Sequence, residues 1–194
     1  MLRLWLLLGM LVALSLVAPA SEGRINDRNE YCVSSSCFPR ETTIGEATVA
    51  LRGAGTLRWW GFRVYSAAFY TASRSDDTAS FLGKEPHRLV ISYYRDIKAA
   101  DIVKATNVAL DQNPDIDRAA VQPAFDRINA SYVDVKAGDR YELVYDPAVG
   151  TSLLHNGTLV DTIPGEDFAA ALFGIWLSPH ALSSSLRHKL LNHR

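Results

Sequence analysis

Two spacings of apolar residues alternate along this chain. Residues 47–52 and 88–94 (RLVISYY) are apolar, β-branched and aromatic runs that predict strands. Residues 57–70, with Trp59, Trp60, Phe62, Val64, Tyr65, Phe69 and Tyr70, predict one long strand in which Gly61 allows a bulge or bend. Gly53-Ala54-Gly55 predicts a turn before it. Residues 73–78 read as a polar loop and 80–82 as a short helical turn. From Asp96 the period changes: Ile97, Ile102, Val103, Thr106 and Leu110 fall near helical spacing and predict a helix over 96–110, ended by Asn113-Pro114. A second helix is expected over 115–128, opened by Asp115 or Asp117 and kinked or interrupted at Pro123. Another strand follows at 140–145. Residues 151–155 and 158–163 flank Asn156-Gly157, the residue pair a type I′ hairpin turn requires. Pro164-Gly165 ends that hairpin. Helices are expected over 166–177, with Phe168, Ala169, Leu172, Phe173 and Trp176 on one side, and over 181–191, capped by Ser183. Strands, two helices, strands and two helices define an α+β chain with an antiparallel sheet.

The amino terminus follows a different logic. Arg3 precedes an uncharged apolar run over 4–17, and Ala18-Pro19-Ala20 places small residues before a cut after Ala20. This is the order of a secretory signal peptide, 1–20, and the run is short for a membrane span, which needs about 20 apolar residues. A periplasmic or secreted protein with no stable membrane span after cleavage is expected. Residues 21–40 read as a polar leader with little core. Export to an oxidising compartment lets Cys32 and Cys37, with four residues between them, form a disulfide.

Composition narrows the function classes. The 194 residues are 48% hydrophobic and 21% charged with a net charge of −1, which argues for one globular domain and gives no electrostatic case for nucleic acid. Two cysteines and scattered histidines (His87, His155, His180, His188, His193) supply no metal-ligand spacing, so neither a metal nor a cofactor is expected. Gly53-x-Gly55 is not a dinucleotide loop, because Arg58 stands where the third glycine is needed and a tryptophan-rich strand follows instead of a helix. Trp59 and Trp60, as strand neighbours, face opposite sides, so one is expected to enter a core.

Leu51-Arg52-Gly53-Ala54-Gly55, Gly61-Phe62-Arg63-Val64-Tyr65-Ser66-Ala67-Ala68-Phe69-Tyr70, Tyr94-Arg95-Asp96-Ile97, Gly138-Asp139-Arg140-Tyr141, Ile163-Pro164-Gly165 and Asp167-Phe168-Ala169 with Leu172-Phe173-Gly174-Ile175-Trp176-Leu177 recur in the order seen in one family. Over residues 41–192 the chain resembles the chalcone isomerase-like proteins, and within them the exported bacterial branch. The resemblance implies an open-faced β-sandwich, a large antiparallel sheet with helices packed on one face. The family that the chain resembles includes enzymes that close a chalcone to a flavanone, members that bind fatty acids, and many bacterial members with no established activity. In the enzymes an arginine after the G-x-G segment stabilises the phenolate; the matching position here is Leu57, with Arg58 one residue further on. The threonine position holds Tyr65, the tyrosine position Ala99 or Ala100, and the asparagine position Asn107. The leading expectation is therefore non-catalytic binding of a small apolar or carboxylate ligand, with Arg58, Arg63, Tyr65 and Asn107 at the site. An intramolecular lyase acting on an enone, and a structural or partner-binding envelope protein, are the alternatives.

Overall fold

The computed structural model describes residues 23–192, so the expected signal peptide lies outside the described residues. A seven-stranded antiparallel sheet forms the body, with strands side by side in chain order: β4 (Glu41–Ile44), β5 (Ala47–Trp59), β6 (Phe62–Thr71), β7 (His87–Tyr93), β8 (Arg140–Asp146), β9 (Gly150–His155) and β10 (Thr158–Ile163). Helices α1 (Ala99–Asp111), α2 (Arg118–Ser131), α3 (Glu166–Leu177) and α4 (Ser184–Leu191) lie on one face. Alternation sorts the side chains: Ala67, Phe69, Leu89, Ile91 and Tyr93 point to the helices, and Ala68, Tyr70 and Val90 point the other way.

That other face is covered too. Of the expected polar leader over 21–40, residues 23–40 carry more core than their polarity suggests, because β1 (Arg24–Ile25), β2 (Glu30–Val33) and β3 (Ser36–Pro39) form a small antiparallel sheet. Tyr31, Val33 and Phe38 bury against Val49, Ala68, Tyr70 and Val90 of the large sheet. The disulfide between Cys32 and Cys37 joins directly paired residues of β2 and β3. Polar contacts fasten the two sheets. Tyr70 donates to the Pro39 carbonyl at 2.8 Å, and Tyr94 hydroxyl bonds Ser36 at 2.9 Å and Ser66 at 2.7 Å. Arg140 donates to the Cys37 carbonyl at 3.1 Å, with its guanidinium 5.4 Å from the Phe38 ring centre. Burial on both faces explains why RLVISYY reads as unbroken apolar sequence rather than as alternation.

Two expectations near Gly53 and Gly61 change places. Gly53-Ala54-Gly55 is no turn but the buried middle of β5. A Cβ on Gly53 would lie 2.2 Å from the Lys189 carbonyl oxygen, and one on Gly55 would lie 2.8 Å from the Lys189 side chain, so these glycines admit α4 onto the strand. The chain reverses instead at Trp60-Gly61, whose φ values of 50° and 81° split the expected long strand into the β5–β6 hairpin. Asn156-Gly157 makes its expected turn with φ values of 51° and 81°. Pro123 leaves α2 continuous, and Asp117 caps that helix by accepting from the Ala119 and Ala120 N–H groups. Ser183 caps α4 by accepting from the Leu186 N–H.

Candidate functional site

A cavity of about 190 Å³ lies between the helix-facing side of β5–β9 and helices α1 and α3. The sheet contributes Leu57, Val64, Ile91, Leu143 and Leu153, and the helical side contributes Ile102, Ala105 and Ile175. Leu182 is 43% exposed and forms part of the lining. Wider hollows exist, one of about 450 Å³ beside Arg52, but that guanidinium already donates to the Leu191 and Ser73 carbonyls and to Asp76. The small cavity is the one with apolar walls and grouped polar atoms, which is the pattern of ligand sites.

Its polar atoms come mainly from tyrosines on adjacent elements. Tyr65 and Tyr93 are directly paired on β6 and β7, Tyr141 is on β8, and Tyr132 follows the end of α2. Ring centres are 5.9 Å apart for Tyr65–Tyr93, 6.2 Å for Tyr93–Tyr141 and 5.4 Å for Tyr132–Tyr141, all edge-on. Trp176 Nε1 donates to the Tyr65 hydroxyl at 3.0 Å, and the Tyr141 hydroxyl donates to the Val133 carbonyl. Burial pushes the Tyr65 phenol up to about 12 and holds Tyr93, Tyr132 and Tyr141 above the usual range, so all four stay protonated donors at neutral pH. Among the described residues, Asp101 on α1 is the one carboxylate in the lining, and no Lys, Arg or His joins it.

The four expected site residues separate in space. Tyr65 lines the cavity. Arg58 and Arg63 pair with each other near the end of the β5–β6 hairpin, both exposed and outside the lining. Leu57 opposes Tyr65 and forms the wall; the extra residue at the register slip is Val64 on β6, so β5 keeps its alternation and Arg58 leaves the face that Leu57 presents. Arg58 donates to the Gly61 carbonyl at 3.3 Å, and Arg63 lies 5.0 Å from the Tyr94 ring centre. Asn107 also lies outside the lining; its Oδ1 accepts from Arg118 at 2.7 Å, tying α1 to α2. Tyr93, Tyr132, Tyr141 and Trp176 were missed as a group. Their signal is a tyrosine on the helix-facing side of three neighbouring strands, which shows only once the register is known.

An antiparallel sheet with helices over one face encloses an apolar cavity edged by phenols. The chain belongs to the chalcone isomerase-like family, whose model matches residues 32–192. Among solved structures it is similar to a fatty-acid binding protein of Arabidopsis thaliana, at 12% identity and a TM-score of 0.63 over 88% of this chain and 96% of that one. At that identity the likeness is one of fold. No curated protein matches the chain in sequence.

Proposed function

We propose that the protein is an exported, non-catalytic binder of a small, mainly apolar molecule carrying one oxygen acceptor, and that a fatty acid fits this description best. The observation that carries the reading is the cavity itself, aliphatic walls with protonated tyrosines packed ring against ring along it. Phenols donate to a carboxyl or carbonyl oxygen without a buried cation. At about 190 Å³ the cavity is smaller than the roughly 300–1,000 Å³ of drug-sized sites. It takes a short acyl chain, or one end of a longer chain that leaves past Leu182. Arg58 and Arg63, beyond the Leu57–Tyr65 pair, attract the anion toward the site. Asn107 acts by holding the helical wall. The fold likeness to a fatty-acid binding protein supports the same ligand class.

The apolar run before Ala18-Pro19-Ala20 and the Cys32–Cys37 disulfide support a periplasmic or secreted location. Among the described residues no helix is long and apolar enough to cross a membrane. The enzyme reading is weaker. Of the positions the resemblance assigns to chalcone closure, Leu57 and Tyr65 line the cavity, Ala99 and Ala100 offer no side-chain hydrogen bond, and Asn107 is engaged with Arg118. The test is displacement of anilinonaphthalene sulfonate by decanoic acid. Saturable displacement that Ile102→Trp abolishes supports the reading. Displacement unchanged by Ile102→Trp overturns it, and loss of chalcone absorbance on adding protein transfers the site to the lyase reading.

A further inference from the structure

The β5–β6 hairpin ends in an exposed aromatic tip. Trp59, Trp60 and Phe62 are 67%, 85% and 68% exposed, so neither tryptophan enters a core, contrary to the expectation for strand neighbours. Their separation by a turn is the reason: Trp59 pairs with Phe62 at the last rung and Trp60 occupies the turn itself.

The turn residue is unusual. Trp60 holds φ at 50°, a left-handed conformation that bulky residues avoid. The same chain builds another two-residue hairpin turn with Asn156 at φ 51°, the residue such a turn prefers. An indole is therefore kept at a position where asparagine would be the easier choice.

The charges around the tip have one sign. Residues 57–64 contain Arg58 and Arg63 and no acidic residue, and neither arginine has a carboxylate partner among the described residues. We infer that this tip docks the protein on an anionic lipid surface, with the indoles and Phe62 seated among the headgroups and the arginines on lipid phosphates. Indole rings favour that boundary, and basic residues beside an apolar segment add attraction to anionic lipid. The area argues against a protein partner. Three aromatic side chains of this exposure offer about 500 Å², whereas a stable protein interface buries about 800 Å² per partner. The same hairpin supplies Leu57, Val64 and Tyr65 to the cavity wall, so a docked tip puts the cavity beside the bilayer. The docking does not depend on the identity of the cavity's ligand.

The experiment uses residues 21–194, which retain every described element, both cores and the disulfide. Co-sedimentation is measured with vesicles of phosphatidylcholine and phosphatidylglycerol, three to one, and with phosphatidylcholine alone. The expected result is binding to the anionic vesicles, reduced about tenfold or more in W59A/W60A/F62A and weakened by raised salt and by R58E/R63E. All these side chains are exposed, so circular dichroism should show the variants folded. Vesicle binding equal in parent and triple variant overturns the proposal. So does a parent that ignores both vesicles. A parent that sediments as a dimer and becomes monomeric in the triple variant overturns it in favour of a contact between copies.

Discussion

Acid should destabilise this protein through one buried imidazole. His87 is fully buried at the edge of β7, between Thr71 and Tyr145 on the neighbouring strands. Its ring centre is 4.2 Å from Phe173 and 5.0 Å from Tyr145. Nδ1 lies 2.7 Å from the Glu85 carbonyl, which fixes the neutral tautomer with its proton on Nδ1, and Nε2 has no hydrogen-bond partner among the described residues. Burial lowers the native pKa from 6.5 to about 4. Because the folded value is depressed, the unfolded chain takes up the proton first. The full stability is present above pH 6.5 and is lost as pH falls from there toward 4. At about 1.4 kcal/mol for each pH unit of difference, roughly 2–3 kcal/mol disappears between pH 7.5 and 4.5. That is a large share of the roughly 5–15 kcal/mol that holds a typical domain together. Asp134, Asp139 and Asp161 have carboxyls held below 3.8 by their hydrogen bonds, so their losses fall at lower pH. The assay is urea unfolding at four pH values in parent and His87→Asn, whose amide can keep a donor toward Glu85 without titrating. The parent's stability should fall by the stated amount and the variant's should stay nearly level. A flat parent profile, or equal slopes in both proteins, would refute the reasoning.

Four other perturbations probe separate parts of the fold. Gly53→Ala pushes a Cβ into the Lys189 and Leu190 carbonyls and should cost about 3 kcal/mol by denaturant unfolding; a neutral result would show that α4 is free to shift. Arg88 donates to Glu142 and, at 2.7 Å, to Thr42, so Arg88→Met leaves a nearly buried carboxylate unpaired and should cost about 3–5 kcal/mol. Adding Glu142→Leu should restore much of that stability. Trp60→Asn should stabilise the fold by about 1 kcal/mol by relieving the left-handed turn, while lowering binding to anionic vesicles. Tyr93→Phe should weaken an acyl ligand by about 1 kcal/mol, read as a several-fold rise in Kd with no loss of thermal stability.

The residues that carried the fold class were those whose local physics agreed with their packing. Asn156-Gly157 forms its turn from conformational preference alone, and the helix over residues 166–177 buries Phe168, Ala169, Leu172 and Phe173 of the positions its spacing marks. Gly53 and Gly61 misled because sequence shows that a glycine is present but not why. One is there for a helix that packs from more than 130 residues away, the other for a reversal. The small sheet over residues 24–39 was hidden because its buried residues, Tyr31, Val33 and Phe38, are few and stand among serines and charges. For the cavity, Tyr65 was legible. The other tyrosines required the register between β6, β7 and β8, which is a long-range fact. Arg58 fell outside the cavity for a one-residue reason, its place next to Leu57 on a strand whose neighbours alternate faces.

The central claim is that the cavity under α1 and α3 holds a small, mainly apolar ligand. Native mass spectrometry of residues 21–194 from a periplasmic preparation, run beside Ile102→Trp and followed by denaturing extraction, tests it most directly. The account predicts a bound acid or related apolar molecule on the parent that is missing from the variant. An equal adduct on both proteins, or an apo mass that decanoic acid leaves unchanged, would contradict it.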